Sequence, residues 1–264
     1  MSFVRTVLGD IAPAQLGVCY AHEHVVLDAC YMTERHPDFL HADAPRITEE
    51  LRAFHAAGGR AMVDSMPGGG AGRNVLRLAE VSRATGVHLV CPTGIHLPKY
   101  YPPGHWGSRL DAETMAAIFI GEIRHGIDGN DLAGPEIRRT PHRAGVIKVA
   151  SGWPDAAAEE RAFTAAALAH RATCCPILTH TEPRTTQGAV HVDRFLACDA
   201  DLSRVVISHT DQTPDLAYHR DLLSTGVKLE YDAAFRWKPG DRNHTLDLLV
   251  TLLPEFPAQI MLGM

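Results

Sequence analysis

The sequence has no basic cluster, no cysteine pair at metal or redox spacing, and no apolar run long enough to cross a membrane. Each absence removes a class of function. Lys and Arg are spread along a chain of formal net charge −6, so it carries no electrostatic footprint for a nucleic-acid backbone, and no nucleic-acid partner is expected. Cys19, Cys30, Cys91, Cys174, Cys175 and Cys198 show no CxxC pair and no disulfide-framework spacing. Cys19, Cys91 and Cys175 fall inside or beside expected core strands, so the cysteines read as reduced, mostly buried thiols. The segment Met1 to Asp10 lacks the apolar core of a signal peptide, and the expectation is a cytoplasmic protein that does not associate with membranes.

What remains is a chain of 264 residues, 45% hydrophobic and 21% charged, which is enough for one large core and reads as a single domain over 1–264. Short β-rich runs alternate with longer helical patterns from end to end. Strands are expected near 16–24, 60–66, 87–94, 144–150, 175–180, 203–209, 226–232 and 258–263, which implies an α/β fold of the (β/α)8 TIM-barrel kind. Helices are expected over Ile47 to Ala57, over Asp111 to His125, and from Pro154-Asp155 through an alanine-rich stretch to His170. The longer polar or glycine-rich connections, Asp28 to Arg46, Pro67 to Arg73 and His96 to Leu110, follow the first three strands and would rim the mouth of such a barrel.

Four of the apolar runs end in groups with chemistry. His22 and His24 are alternate residues at the end of the first strand and share one side of it. Lys148 ends Gly145-Val146-Ile147-Lys148-Val149, His180 ends Pro176-Ile177-Leu178-Thr179-His180, and His209 ends Arg204-Val205-Val206-Ile207-Ser208-His209. A parallel barrel brings the C-terminal ends of its strands to one mouth, so these five residues are expected to converge. Four imidazoles suit Zn²⁺, with Mn²⁺, Co²⁺ or Fe²⁺ as alternatives. A lysine on an interior strand is costly to bury as a cation, more so beside divalent metals. Carbamylation of Lys148 by CO2 explains it most economically, because the resulting carboxylate can bridge two ions about 3.5–4 Å apart. Hydrolysis of an ester, lactone or phosphoester is the reaction such a binuclear site suggests.

Plainer readings exist for each feature. His22 and His24 alone would read equally well as core or loop histidines, and Lys148 alone as a strand-end lysine reaching solvent. Glu23 faces away from its histidine neighbours and is expected to make structural hydrogen bonds. Asp211 and Asp232 are candidates for orienting ligand histidines, or for ordinary strand-end hydrogen bonding. Pro67-Gly68-Gly69-Gly70-Ala71-Gly72-Arg73 could cradle a phosphate with help from Arg73, but it lacks the Walker spacing and lysine, so a turn is the expectation. Trp106, Trp153, Phe235, Arg236 and Trp237 lie on expected mouth loops, where they would line a substrate pocket or pack against neighbouring loops.

Several ordered motifs together resemble the phosphotriesterase family of the amidohydrolase superfamily. They are Gly17-Val18-Cys19-Tyr20-Ala21-His22-Glu23-His24, Gly121-Glu122-Ile123-Arg124-His125-Gly126-Ile127-Asp128-Gly129, Arg143-Ala144-Gly145-Val146-Ile147-Lys148-Val149-Ala150, Thr179-His180-Thr181-Glu182 and Ile207-Ser208-His209-Thr210-Asp211. The resemblance implies that His22 and His24 bind the more buried of two divalent ions, that His180 and His209 bind the more exposed one, and that carbamylated Lys148 bridges them. It also implies a metal-binding, proton-shuttling aspartate directly after Leu262-Gly263-Met264. The chain stops one residue short of it, so the catalytic acid–base residue is unassigned and truncation before the last outer helix is expected. Where phosphotriesterases proper place a His and an Asp in a proton relay, this chain has Ala233 and Gln212, which implies at most weak triester hydrolysis. The lactonase branch carries an aromatic residue on the loop after strand three where this chain has Gly94-Ile95-His96-Leu97, with Tyr100 and Tyr101 close by. The expectation is a hydrolase of lactones or related carboxylic esters, with His96, Tyr100 and Arg236 contacting a small-molecule substrate. The resemblance implies a homodimer, although no interface is readable. Two rivals remain: a barrel that binds metal or ligand without catalysis, and an inactive fragment.

Overall fold

Six of the seven longer helices begin behind an Asp or Asn whose side chain accepts a backbone N–H of the first turn. This cap contributes about 1 kcal/mol in each case. It places Asp43 before α2 (Ala44–Ala56), Asn74 before α3 (Val75–Thr85), Asp111 before α4 (Ala112–His125), Asp155 before α5 (Ala156–Thr173), Asp215 before α7 (Leu216–Ser224) and Asn243 before α8 (His244–Leu252). α6 (Gln187–Ala197) starts without a side-chain cap, and α1 (Tyr31–Arg35) is a single short turn in the loop expected over Asp28 to Arg46.

The computed structural model describes residues 2–236 and 238–264. A small antiparallel hairpin, β1 (Val4–Thr6) and β2 (Gly9–Ile11), precedes the main sheet. There follow β3 (Val18–Glu23), β4 (Gly59–Asp64), β5 (His88–Val90), β6 (Pro92–Gly94), β7 (Val146–Ala150), β8 (Ile177–His180), β9 (Val205–Ser208), β10 (Lys228–Tyr231) and β11 (Ile260–Leu262). All pair in parallel, as β3-β4-β5 and as β6-β7-β8-β9-β10-β11. The third expected strand is interrupted at Cys91, so the chain itself joins the two sheets as it passes from β5 to β6. The other seam is narrow: the Met264 N–H donates to the His22 carbonyl at 2.9 Å. The result is the (β/α)8 barrel that the alternating pattern implies, with a helix after each strand position up to β10; among the described residues none follows β11.

The core has two parts because strand side chains alternate. Ile147, Ile177, Ile207 and Leu229 face outward into the large cluster that packs the strands against the helices, with Phe119, Phe163 and Phe195. Val90, Val146, Leu178 and Val206, joined by Val4, Val63 and Met261, form a smaller plug inside the barrel. Two residues further along β7, β8 and β10, the inward positions are Lys148, His180 and Glu230. The polar groups therefore sit on an apolar floor. Gly94 faces this layer with φ +118°, and a Cβ there would collide with the Lys148 carbonyl, so only glycine lets β6 approach β7 so closely. No helix among the described residues is long and apolar enough to cross a membrane, and all six cysteines are free.

Candidate metal centre

Five imidazoles form a continuous chain of ring contacts across the mouth. Centroids lie 5.5 Å apart for His24 and His22, 4.9 Å for His22 and His209, 4.6 Å for His209 and His180, and 4.8 Å for His180 and His96. Tyr100 follows, 4.9 Å from His96. The fold thus brings together His22, His24, His180, His209 and His96, with half-buried Tyr100 at the edge. Lys148 lies beneath them, fully buried; its Nζ reaches the Thr179 carbonyl at 3.4 Å, a weak contact for a cation.

β10 supplies two carboxylates to the same layer. Glu230 Oε2 lies 3.1 Å from His22 Nδ1, and Asp232 Oδ2 lies 2.6 Å from His209 Nδ1. His22, His209, Glu230 and Asp232 each offer a ligand atom within 4.8 Å of the others. His209 stands one residue past its strand with φ +64°, a left-handed conformation that costs a non-glycine residue about 1–2 kcal/mol. The short bond to Asp232 fixes it there. Asp211 plays another part: it accepts from the Ala233 and Asp232 N–H groups and from the Thr245 hydroxyl, bracing the end of β10 instead of a histidine.

Burial shapes the charge of this layer. It drives the His22, His96 and His180 imidazoles far below their ordinary range and His24 down to about 3, with the Lys148 charge adding to the effect. Neutral imidazoles are the form that ligates metal. Lys148 is pushed down to about 8 by burial, with Glu230 and Asp232 pulling the other way. Burial, and then Asp232, raises Glu230 well above the carboxylate range, while Lys148 opposes the rise. For Asp232, burial raises the carboxyl but the hydrogen bond and charge of His209 outweigh it, so the net shift is downward.

The remaining sequence candidates are placed variously. Arg236 lies on an exposed turn (234–236) against the Phe235 ring, and its charge reaches Asp232. Trp153 is buried with its indole N–H unpartnered, Trp106 packs on His105, and Trp237 lies outside the described residues. Tyr101 is buried away from the mouth, its hydroxyl bonded to the His96 N–H and the Gly68 carbonyl. The glycine-rich loop is a turn and not an anion cradle, because the Arg73 guanidinium is taken up by Glu122, Asp131 and the Pro92 carbonyl. Glu23 accepts the His24 N–H, as its outward direction implies. Two residues at the mouth escaped the sequence reading. Glu230 could have been found from the alternation Lys228, Glu230, Asp232 on a strand otherwise apolar; Lys99, exposed beside Tyr100 at 5.2 Å from its ring centroid, carried no such signal.

The donor set is one that a metal fits. His24 Nδ1, His209 Nε2 and Asp232 Oδ1 are buried with no hydrogen-bond partner among the described residues, an arrangement costly in a site meant only to hold the fold. A cavity of about 640 Å³ opens beside His24, bounded by Tyr20, His41, Glu50, Phe54 and Met264.

A model of the phosphotriesterase family matches residues 2–237. A phospho-furanose lactonase of Mycoplasmopsis synoviae is 32% identical over 242 residues, covering 89% of this chain and 68% of its own. Among solved structures, an amidohydrolase from Mycoplasma synoviae superposes with a TM-score of 0.90 at 28% identity, over 99% of this chain and 76% of that one. A lactonase from Listeria monocytogenes superposes with a TM-score of 0.88 at 27% identity, over 99% and 82%. With the match running nearly end to end, this chain belongs to the phosphotriesterase family.

Proposed function

We propose that the protein is a metal-dependent hydrolase of lactones or related carboxylic esters, with two divalent ions held by His22, His24, His180, His209 and Lys148. The observation that carries the reading is the chain of imidazole contacts at the mouth, with His24 Nδ1 and His209 Nε2 unpartnered among the described residues, around a fully buried lysine. Lactonases among the relatives support the substrate class, and the phosphorylated lactone named for one of them makes a phospho-furanose lactone the first compound to try.

The residues divide the work. Lys148, neutral in part near pH 8, adds its neutral amine to CO2: the C–N bond forms as one C=O π bond opens, one N–H proton leaves to solvent, and the product is a carbamate with a ligating oxygen pair. Zn²⁺ ions at this centre, or Mn²⁺, Co²⁺ or Fe²⁺, would supply Lewis acidity toward the ester carbonyl and toward water. Asp232 fixes the tautomer of His209, and the apolar plug below excludes water from the floor. His96 and Tyr100 form one wall of the mouth and Arg236 its rim, positions from which they would contact substrate. Ala233 and Gln212 offer no proton relay, which leaves phosphotriester hydrolysis as a weak side activity.

The test is metal-free protein reloaded with Zn²⁺, Mn²⁺ or Co²⁺, with and without bicarbonate, against a panel of sugar lactones, their phosphates, aryl esters and a phosphotriester. Metal-dependent lactone turnover, aided by bicarbonate, is the expected result. Metal uptake without turnover of any lactone or ester would favour a non-catalytic barrel.

A further inference from the structure

The two carboxylates of β10 are spaced as a pair. Residues 230 and 232 project to the same side of the strand, and each meets the Nδ1 of one histidine: Glu230 that of His22, Asp232 that of His209. Asp232 stands past the strand end, where carboxylates are common. Glu230 does not: it pairs in register with Ser208 on one side and Met261 on the other, and it is fully buried. A carboxylate at such a position is destabilising unless it has a partner. The surroundings are built around this one. Gly263 packs on both members of the pair, and a Cβ there would stand 2.6 Å from Glu230 Oε1 and 2.6 Å from His22 Cβ.

We propose that Glu230 is a positioning residue, which accepts the Nδ1–H of His22 and so presents Nε2 of that ring as the ligating nitrogen. The inference rests on the metal-centre reading above. An imidazole that ligates through Nε2 keeps its remaining proton on Nδ1, and a carboxyl oxygen 3.1 Å away that accepts it fixes both the tautomer and the ring plane. β10 and the residue that follows its end thereby orient one histidine of each expected ion.

The experiment compares the unmodified protein with Glu230→Gln and Glu230→Leu. Zn²⁺ affinity is measured by chelator competition, the His22 Nδ1–H by NMR of the 15N-labelled, Zn²⁺-loaded protein, and folding by urea unfolding of the metal-free forms. Glu230→Leu is expected to weaken the tighter Zn²⁺ site by about 10–100-fold and to remove the downfield Nδ1–H signal. Glu230→Gln, which keeps an acceptor oxygen, is expected to restore most of the affinity and a weaker signal. A shifted unfolding midpoint with Zn²⁺ affinity unchanged would reduce Glu230 to a packing role and overturn the proposal. Should Glu230→Leu fail to fold, the unmodified protein and Glu230→Gln decide: a His22 protonated on Nε2 in the loaded protein overturns it. Unmodified protein that takes up no Zn²⁺ overturns the proposal and the metal-centre reading together, whereas uptake that Glu230→Leu leaves intact overturns the proposal alone.

Discussion

Two buried polar clusters of this barrel differ in one respect, and the difference separates structure from function. Around Arg73 the hydrogen bonds close. Its guanidinium donates to both Glu122 oxygens, to Asp131 and to the Pro92 carbonyl, Glu122 also takes the Asp128 N–H, and Asp131 takes the Gly70 N–H. At the mouth the bonds stay open: among the described residues, ring nitrogens of His24 and His209 and an oxygen of Asp232 have no partner, and the buried Lys148 reaches a distant carbonyl. A closed cluster holds loops together; the open one at the mouth is the one proposed above to hold metal.

The largest expected effect breaks the closed cluster. Arg73→Met leaves the buried Glu122 and the half-buried Asp131 without their cation, and urea unfolding should show a loss of about 3–5 kcal/mol. The matching change at the mouth should behave in the opposite way. Lys148→Met removes a poorly satisfied buried amine, so unfolding should be unchanged or shifted to higher urea, while metal-dependent turnover falls by about 10²–10³-fold. Equal stability losses from the two changes would erase the distinction. A finer probe is Asp232→Asn, which weakens the hold on the His209 tautomer and should lower metal affinity by about 10-fold, read by chelator competition.

A pH-dependent effect concerns a third kind of buried group, neither closed nor at the mouth. His191 on α6 packs against Phe163 with both ring nitrogens unpartnered among the described residues, and burial, with the Arg194 charge adding, holds it down to about 3. An unfolded histidine titrates near 6.5, so between about pH 6.5 and pH 3 the unfolded chain binds a proton that the native one refuses, and stability falls as pH falls through that window. His191→Leu should therefore gain on the unmodified protein as the solution is acidified, by about 2 kcal/mol at pH 5 relative to pH 7. A constant difference between the two proteins across that range would remove His191 from the account.

Most of the barrel was legible because period-two apolar runs and Asp or Asn caps are local signals. The break at Cys91 was not, since the apolar run continues through it and only the separate partners, β4 for β5 and β7 for β6, divide the strand. At the mouth, strand ends pointed to His22, His24, Lys148, His180 and His209, and the fold gathers these side chains into one layer. The partnerships were less accessible. That Asp232 meets His209 while Asp211 braces the β10 end depends on the sharp turn at His209, and nothing near Glu230 names His22, 208 residues away in sequence. The fate of Arg73 was hidden for the same reason, because Glu122 comes from α4, two helices further along, and Asp131 from the loop after it.

The most direct measurement is divalent metal per chain, by elemental mass spectrometry of the folded protein after desalting, before and after incubation with Zn²⁺ and bicarbonate. The account predicts two ions per chain in the unmodified protein, with Lys148→Met retaining fewer. A folded protein that holds no divalent metal under either condition would contradict it.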